Sequence, residues 1–468
     1  MKKMFFAALA ATIMFASCNK EDNEINGGQD GKATTMGLSF TLPTAGAETR
    51  ASLPADASDI NATTAENKLS TISVYAFKSN GDINGTTHFS DVDADFAAVS
   101  GVYTLKDAKR IKTTTATRTI YIVANAAMET VATEAEFKTK FASSNNGIAT
   151  PATGLVMSSG AVPTILTPIE VNVTPTPTEN DIAATLSRIN AKIVVTTEIS
   201  TPFTQTFASV ADAGFEVSYT IIDWAPGLAA VNSYFVENRL NGKLVTIATG
   251  RTGHATAASS FQTASLFSTA NSDWAGAGVK FHYVGENAPE NNLIGEATNV
   301  MVRTKAAPNR QAKVNAAGDG VEWVATGADF SAGFMVLRNK MDGKIYFCKD
   351  LATINAVGNL LPGADWEYAE YVGGYVYFLV TLNQDKAPKA VVARNQFVNV
   401  NITGIANGAL GWPGSGVDGL TPPDPEDPSI DFPEPFNPEE PVEEYNTYML
   451  VNVTVKPWAY SGTNVELK

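Results

Sequence analysis

The stretch MGLSFTL, residues 36–42, sets Met36, Leu38, Phe40 and Leu42 in alternation with Gly37, Ser39 and Thr41. A period of two is the signature of a strand that buries one face. The next residues, PTAGAETRASLPADAS (43–58), are small, polar and turn-forming, and Arg50 is the only Lys or Arg between Lys32 and Lys68. A trypsin-like protease is thus offered one bond, between Arg50 and Ala51, directly behind a strand written to pack.

The strand signal recurs along the chain. KLSTISVYAF (68–77), TRTIYIVANA (117–126), RINAKIVVTTEI (188–199) and FEVSYTIIDW (215–224) combine β-branched and aromatic residues, and Gly, Asn and Ser clusters separate them. KFHYVGEN, TNVMVRTK, KIYFCKD, GYVYFLVTL and QFVNVNITGI continue the pattern. METVATEAEFKTKFA (128–142) is the best helix candidate, from the spacing of Val131, Ala135, Phe137 and Phe141. Among the 468 residues, 44% are hydrophobic and 17% charged, with Thr, Ala, Val and Asn plentiful, a composition for a folded, mostly β chain of two or three domains. A polar stretch with a proline, EISTPFTQT (198–206), marks the expected boundary between a sandwich over 51–200 and a second over 201–420.

The far end carries a second strand on a leash. TPPDPEDPSIDFPEPFNPEEPVEE (421–444) is dense in proline and acid, and no Lys or Arg occurs between Arg394 and Lys456. Such a segment is expected to run extended near polyproline II, and at about 3.1 Å per residue it reaches on the order of 70 Å. A compact body of this size is about 55–60 Å across. Beyond it, in residues 445–468, Met449, Val451, Val453 and Val455 alternate with Leu450, Asn452, Thr454 and Lys456, and Trp458 follows. One apolar face on an isolated strand stabilises nothing, so this strand must join a sheet, its own or another molecule's.

The opening residues read as an export signal. MKK precedes the short apolar run MFFAALAATIMFA, too brief to span a bilayer, and Phe15-Ala16-Ser17-Cys18 has the form of a lipobox in which Cys18 is lipidated and residues 1–17 are removed. Residues 18–50 then form a propeptide that includes the first strand. The formal charge of −15 without clustered Lys or Arg excludes nucleic acid as a partner. Cys348 is the only other cysteine, so no disulfide framework exists.

Together the two end strands suggest an exchange. If residues 36–42 fill a slot in their own sheet, cutting after Arg50 opens a hydrophobic edge that needs a replacement. The terminal strand of another molecule is a candidate, and burying its four apolar side chains contributes about 6–12 kcal/mol as an upper bound. While the first strand remains attached, its effective concentration excludes competitors. Because donor and slot are different surfaces, the contact is heterologous and can repeat into a filament.

The FASC lipobox, the ETRAS loop, TIYIVANA, GLVMSSG, LSRINAKIVV, YVGENAPENNLIGEATNVMVRTK, VVARNQFVNVNITGI and the terminal YMLVNVTVKPW, in that order, resemble the fimbrillins, the type V pilins of anaerobic Gram-negative bacteria, and most the shaft subunits of their short fimbriae. Phe15 in the lipobox, and Phe397 where an aromatic, often Tyr, is expected, depart from the family pattern. The resemblance implies two tandem transthyretin-like β-sandwich domains with a cleavable N-terminal strand and a C-terminal donor strand. It implies lipidation and palmitate at Cys18, an outer-membrane precursor, and cleavage between Arg50 and Ala51 by an arginine-specific surface protease. It also implies self-polymerisation with identical subunits, tip and anchor subunits as accessory partners, and host or bacterial receptors in adhesion, biofilm formation and virulence.

Other chemistry has little support. His88, His254 and His282 lie far apart without ligand-spaced companions, and DVDADF (91–96) places Phe96 where a calcium loop needs Gly. No nucleophile elbow or P-loop is present, so neither an enzyme nor a cofactor is expected. The alternative is a surface glycan-binding lipoprotein whose tryptophans, Trp224, Trp274, Trp323, Trp366, Trp412 and Trp458, line a sugar face; core packing is their commoner use.

Overall fold

The computed structural model describes residues 31–42, 60–168 except 100 and 145, 179–197, 203–207, 210, 214–254 except 241–242 and 246–249, 261–263, 265–266, 280–423 except 329, 385–387 and 407, 437–444 and 449–460. Strands dominate it, as the sequence predicts, and they form two sandwiches in tandem.

The first sandwich is built from two sheets. One orders β12 (Asp181–Thr185), β1 (Ala33–Thr41), β6 (Val102–Leu105) and β5 (Phe96–Val99), with β7 (Ile111–Thr114) also on β1. The other orders β13 (Ser187–Arg188), β10 (Met157–Ser158), β8 (Ala116–Ala124), β3 (Ile72–Lys78) and β4 (Ile83–Phe89), with β11 (Val162–Leu166) on β8. Met36, Leu38, Phe40 and Leu42 meet Ile72, Val74, Ile120 and Ile122 between the layers. On the outer face of the second sheet, Tyr75, Phe77 and Tyr121 pack on Phe137 of helix α2 (Glu134–Lys138). That helix is shorter than residues 128–142: Thr133 caps it by accepting from the Glu136 N–H, Thr139 closes it, and Phe141 starts β9 (Phe141–Ser143), paired with β17 (Asn232–Tyr234). Helix α1 (Val92–Asp95), capped by Asp91, occupies DVDADF.

The second sandwich repeats the plan. One sheet orders β2 (Ile60–Ala62), β32 (Met449–Tyr460), β30 (Gln396–Ile405), β14 (Asn190–Thr197) and β21 (Ser265–Leu266), with β22 (Phe281–Gly285) on β14. The facing sheet orders β15 (Phe203–Thr206), β16 (Glu216–Gly227), β23 (Asn299–Pro308), β29 (Tyr375–Thr381) and β31 (Trp412–Pro413), with β20 (Gln262–Thr263) on β16. Ile193, Val195, Val398 and Val400 pack on Val217, Trp224, Val300, Val302 and Phe378. A three-stranded sheet of β27 (Ile345–Cys348), β26 (Gly333–Asn339) and β28 (Trp366–Val372) extends this core, backed by helix α3 (Leu351–Gly358). Hairpins β18–β19 (Arg239–Leu240, Lys243–Leu244) and β24–β25 (Arg310–Val314, Val321–Ala325) complete the strands among the described residues.

Two expectations shift. Strand β14, placed by sequence in the first sandwich, runs parallel to β30 from Lys192 opposite Phe397 to Thr197 opposite Ile402, so the chain enters the second sandwich before residue 198. The acidic linker was expected to stay unpacked throughout, and residues 424–436 lie outside the described residues. Residues 437–444, however, dock. The Ile294 and Gly295 N–H groups donate to the Glu440 and Pro438 carbonyls, each at 3.0 Å, and Val442 is buried beside Ile294 and Ala297. Proline removes donors but leaves carbonyls, and the first N–H groups of the short helix at 294–296 need acceptors.

Candidate functional site

Strand β1 sits inside its sheet, not at the margin. Gly37 to Thr41 lie parallel to Asp181 to Thr185 of β12, while on the other side Ser39 to Thr41 run antiparallel to β6 and Ala33 to Met36 antiparallel to β7. Met36, Leu38, Phe40 and Leu42 are each at most 2% exposed. The Phe40 ring meets Phe96 edge-on and stacks on Tyr103, each with centroids 5.3 Å apart. Polar contacts fix the register: the Asn180 side-chain amide donates to Thr34 Oγ1 at 3.1 Å and to the Thr35 carbonyl at 3.0 Å. An ion pair crosses over the strand. Arg110, just before β7, donates to Asp181 of β12 at 2.6 Å, directly above Gly37, where a Cβ would lie 2.0 Å from Asp181 Oδ1. Glycine is required there because both flanking strands reach across the backbone.

Strand β32 folds onto its own molecule. It runs antiparallel to β30, with Val455 opposite Val398, Val453 opposite Val400 and Val451 opposite Ile402, and a register shift precedes Met449 opposite Ile405. Met449 and Val455 are buried in the second core, and Val451 and Val453 pack against it. Trp458 pairs with Ile60 through the backbone. The two sets of strand residues singled out from sequence therefore lie in different sandwiches of one molecule. Cys18, Arg50 and Ala51 lie outside the described residues.

Sequence reasoning missed β2 and what anchors it. Ile60, Asn61 and Ala62 run parallel to Trp458, Ala459 and Tyr460. Next comes a tight turn: Glu66 Oε2 accepts from the Thr63 N–H at 2.7 Å, and Thr63 Oγ1 from the Glu66 N–H at 3.2 Å. The Thr-x-x-Glu spacing was the available signal. Glu66 is fully buried; its Oε1 accepts from Lys192 of β14 and from the Tyr283 hydroxyl of β22, both at 2.7 Å. Burial alone would raise the pKa of this carboxyl, but the Lys192 charge and the hydrogen bonds from Lys192, Tyr283 and the Thr63 N–H hold it below the usual value. Lys192 also lies 4.4 Å from the Phe281 ring centroid.

A second buried pair ties the sandwiches together. Arg394, beside β30, donates to Glu286 at 2.9 Å, to Ser158 of β10 at 3.3 Å and to the Phe235 carbonyl at 3.0 Å. Arg188 of β13 donates to Asn395 at 3.0 Å and to Asn67.

Cys348 is buried within β27, and desolvation pushes its thiol up to about 12, which suits a core residue and not a nucleophile. Trp224 and Trp412 are buried, which removes two members of a sugar-binding face. Among the described residues no group of three His, Cys, Asp or Glu is placed to hold a metal.

Residues 36–196 match the family of the major fimbrial subunit protein (FimA). Among solved structures the chain is similar to a candidate cell adhesion protein from Parabacteroides distasonis, at 16% identity over 93% of this chain and 100% of that one, with a TM-score of 0.49. It is similar to a fimbrilin (FimA) from Porphyromonas gingivalis at 15% identity, 92% and 99% coverage and a TM-score of 0.43. The tip fimbrial protein Mfa3 from Porphyromonas gingivalis, with a C-terminal truncation, follows at 11% identity, 91% and 100% coverage and a TM-score of 0.36. No curated protein matches the chain.

Proposed function

We propose that this chain is a structural subunit of a surface fimbrium, the shaft component of a polymer built by strand exchange. It is exported as a precursor lipidated at Cys18 and held at the outer membrane. An arginine-specific protease then cuts between Arg50 and Ala51, β1 leaves, and the terminal strand of a second copy takes its slot. Tip and anchor subunits complete the fibre, and adhesion follows from its display.

The observation that carries this reading is the position of β1. It is an inner strand of the first sheet that, with Leu42 just behind it, puts four side chains in the core, and the chain that follows, up to Lys68, offers a single arginine. Its loss would open a groove lined by Phe96, Tyr103, Leu105, Ile111 and Ile182. The family matched by residues 36–196, a stretch that starts at Met36 of this strand, supports it. A strand of matching alternation exists at residues 449–455, behind a linker able to carry it away.

The test is limited trypsin digestion of purified precursor. The expected products begin at Ala51 and form ladders on a denaturing gel run without boiling. A cut chain that stays monomeric at all concentrations would overturn the reading and favour the glycan-binding alternative.

A further inference from the structure

The strand that must leave in order to be donated is held on both edges. Along most of its length β30 holds one edge, and at its far end Trp458 to Tyr460 pair with β2 on the other. Strand β2 has only three residues, so it cannot persist alone. Its downstream end is staked by the turn at 63–66, through buried Glu66, to Lys192 and Tyr283 of the same sheet. Ala62 is buried beside Val194, Tyr283 and Phe397. Its upstream end connects through residues 43–59 to Leu42, buried in the first sandwich. One segment therefore joins the strand that plugs the slot to the strand that holds the donor, and Arg50 lies within that segment.

We infer that β2 is a latch on the terminal strand, tethered at both ends in the precursor, and that the cut after Arg50 releases it as well as the plug. This rests on the strand-exchange reading. After the cut, β2 keeps its Glu66 stake and loses its tether to β1. What remains is a three-residue edge strand behind a free amino terminus, which frays readily. The Trp458–Tyr460 edge is then uncovered, and the terminal strand can peel from β30 starting at its C-terminal end. A single proteolytic event would thus make one molecule competent both to receive and to give, and an uncut molecule would do neither.

Two measurements test this. Asn61→Cys with Ala459→Cys places a cysteine pair at facing positions of β2 and β32. In the cut chain Cys348 is the only other cysteine, and it is buried. After cleavage the oxidised variant is expected to stay monomeric and the reduced one to form ladders; equal laddering by both overturns the latch. The second measurement is amide exchange over residues 449–460 in monomers kept dilute, before and after the cut. The expected result is a roughly tenfold or greater acceleration, the scale of one or two lost main-chain hydrogen bonds; unchanged exchange overturns the inference. If the reduced and unmodified cut chains fail to ladder, the exchange reading itself has failed, and the amide measurement still decides whether the cut loosens the strand.

Discussion

Single side chains set the terms of the plug. Phe40 contributes two aromatic contacts to the first core, and Phe40→Ala should lower precursor stability by about 3–5 kcal/mol in denaturant unfolding. On the strand-exchange reading the same substitution should leave fibres assembled from cut subunits unchanged, because the cut removes the residue. Glu66 behaves differently, since it is retained after the cut. Glu66→Gln removes the charge opposite the buried Lys192 ammonium and should cost about 3–5 kcal/mol. Because the folded-state pKa of Glu66 is depressed, its contribution is complete above the ordinary carboxylate value of 4.5 and is lost as pH falls below it. Unfolding midpoints of the native chain should therefore fall over that acid range more steeply than those of Glu66→Gln. The alternation in MGLSFTL identified the buried face of β1, but nothing in Gly37 alone announced the Arg110–Asp181 pair above it. Those two residues stand 71 positions apart in sequence, beyond the reach of any local pattern.

Elements were legible where their own side chains determine them. Strands β3, β8, β14 and β16 announce themselves by β-branched and aromatic runs, because a pleated, half-buried surface selects those residues. Ile60–Ala62 has no such run and becomes a strand only through the partner it meets. Helix α2 is overextended in the sequence reading because Val131 and Phe141 fall at helical spacing, though Thr133 and Thr139 end the helix between them. For β32 the alternation shows which face is buried but not in which sheet; its own β30 answers that for the single molecule. At this scale the prediction concerns the slot. A synthetic peptide of residues 445–468 should bind the cut chain and block laddering, and should not bind the precursor, in which β1 occupies the position; fluorescence anisotropy of a labelled peptide reads both.

The whole molecule depends on its seam. Arg394, held by buried Glu286, reaches Ser158 of the first sandwich, and Arg188 of the first sandwich reaches Asn395 beside β30 of the second. A buried pair broken from one side is costly, so Arg394→Ala should reduce stability by about 3–5 kcal/mol. It should also split calorimetric unfolding into two transitions where a single one is expected of the native chain. This seam was beyond sequence reasoning because its members, Ser158, Arg188, Glu286 and Arg394, come from segments far apart in the chain. The docked end of the acidic linker belongs to the same scale: residues 437–444 must let go of Ile294 and Gly295 before the tail can reach its full span.

The placement of β1 in one sandwich and β32 in the other gives the assembled structure a direction. On the proposed reading each molecule has one socket and one tenon, on different lobes, so a growing chain cannot branch and all its members face the same way. Its two ends would be chemically distinct, one presenting an empty socket and the other an unused tail, and elongation, capping and anchorage would each have a separate address.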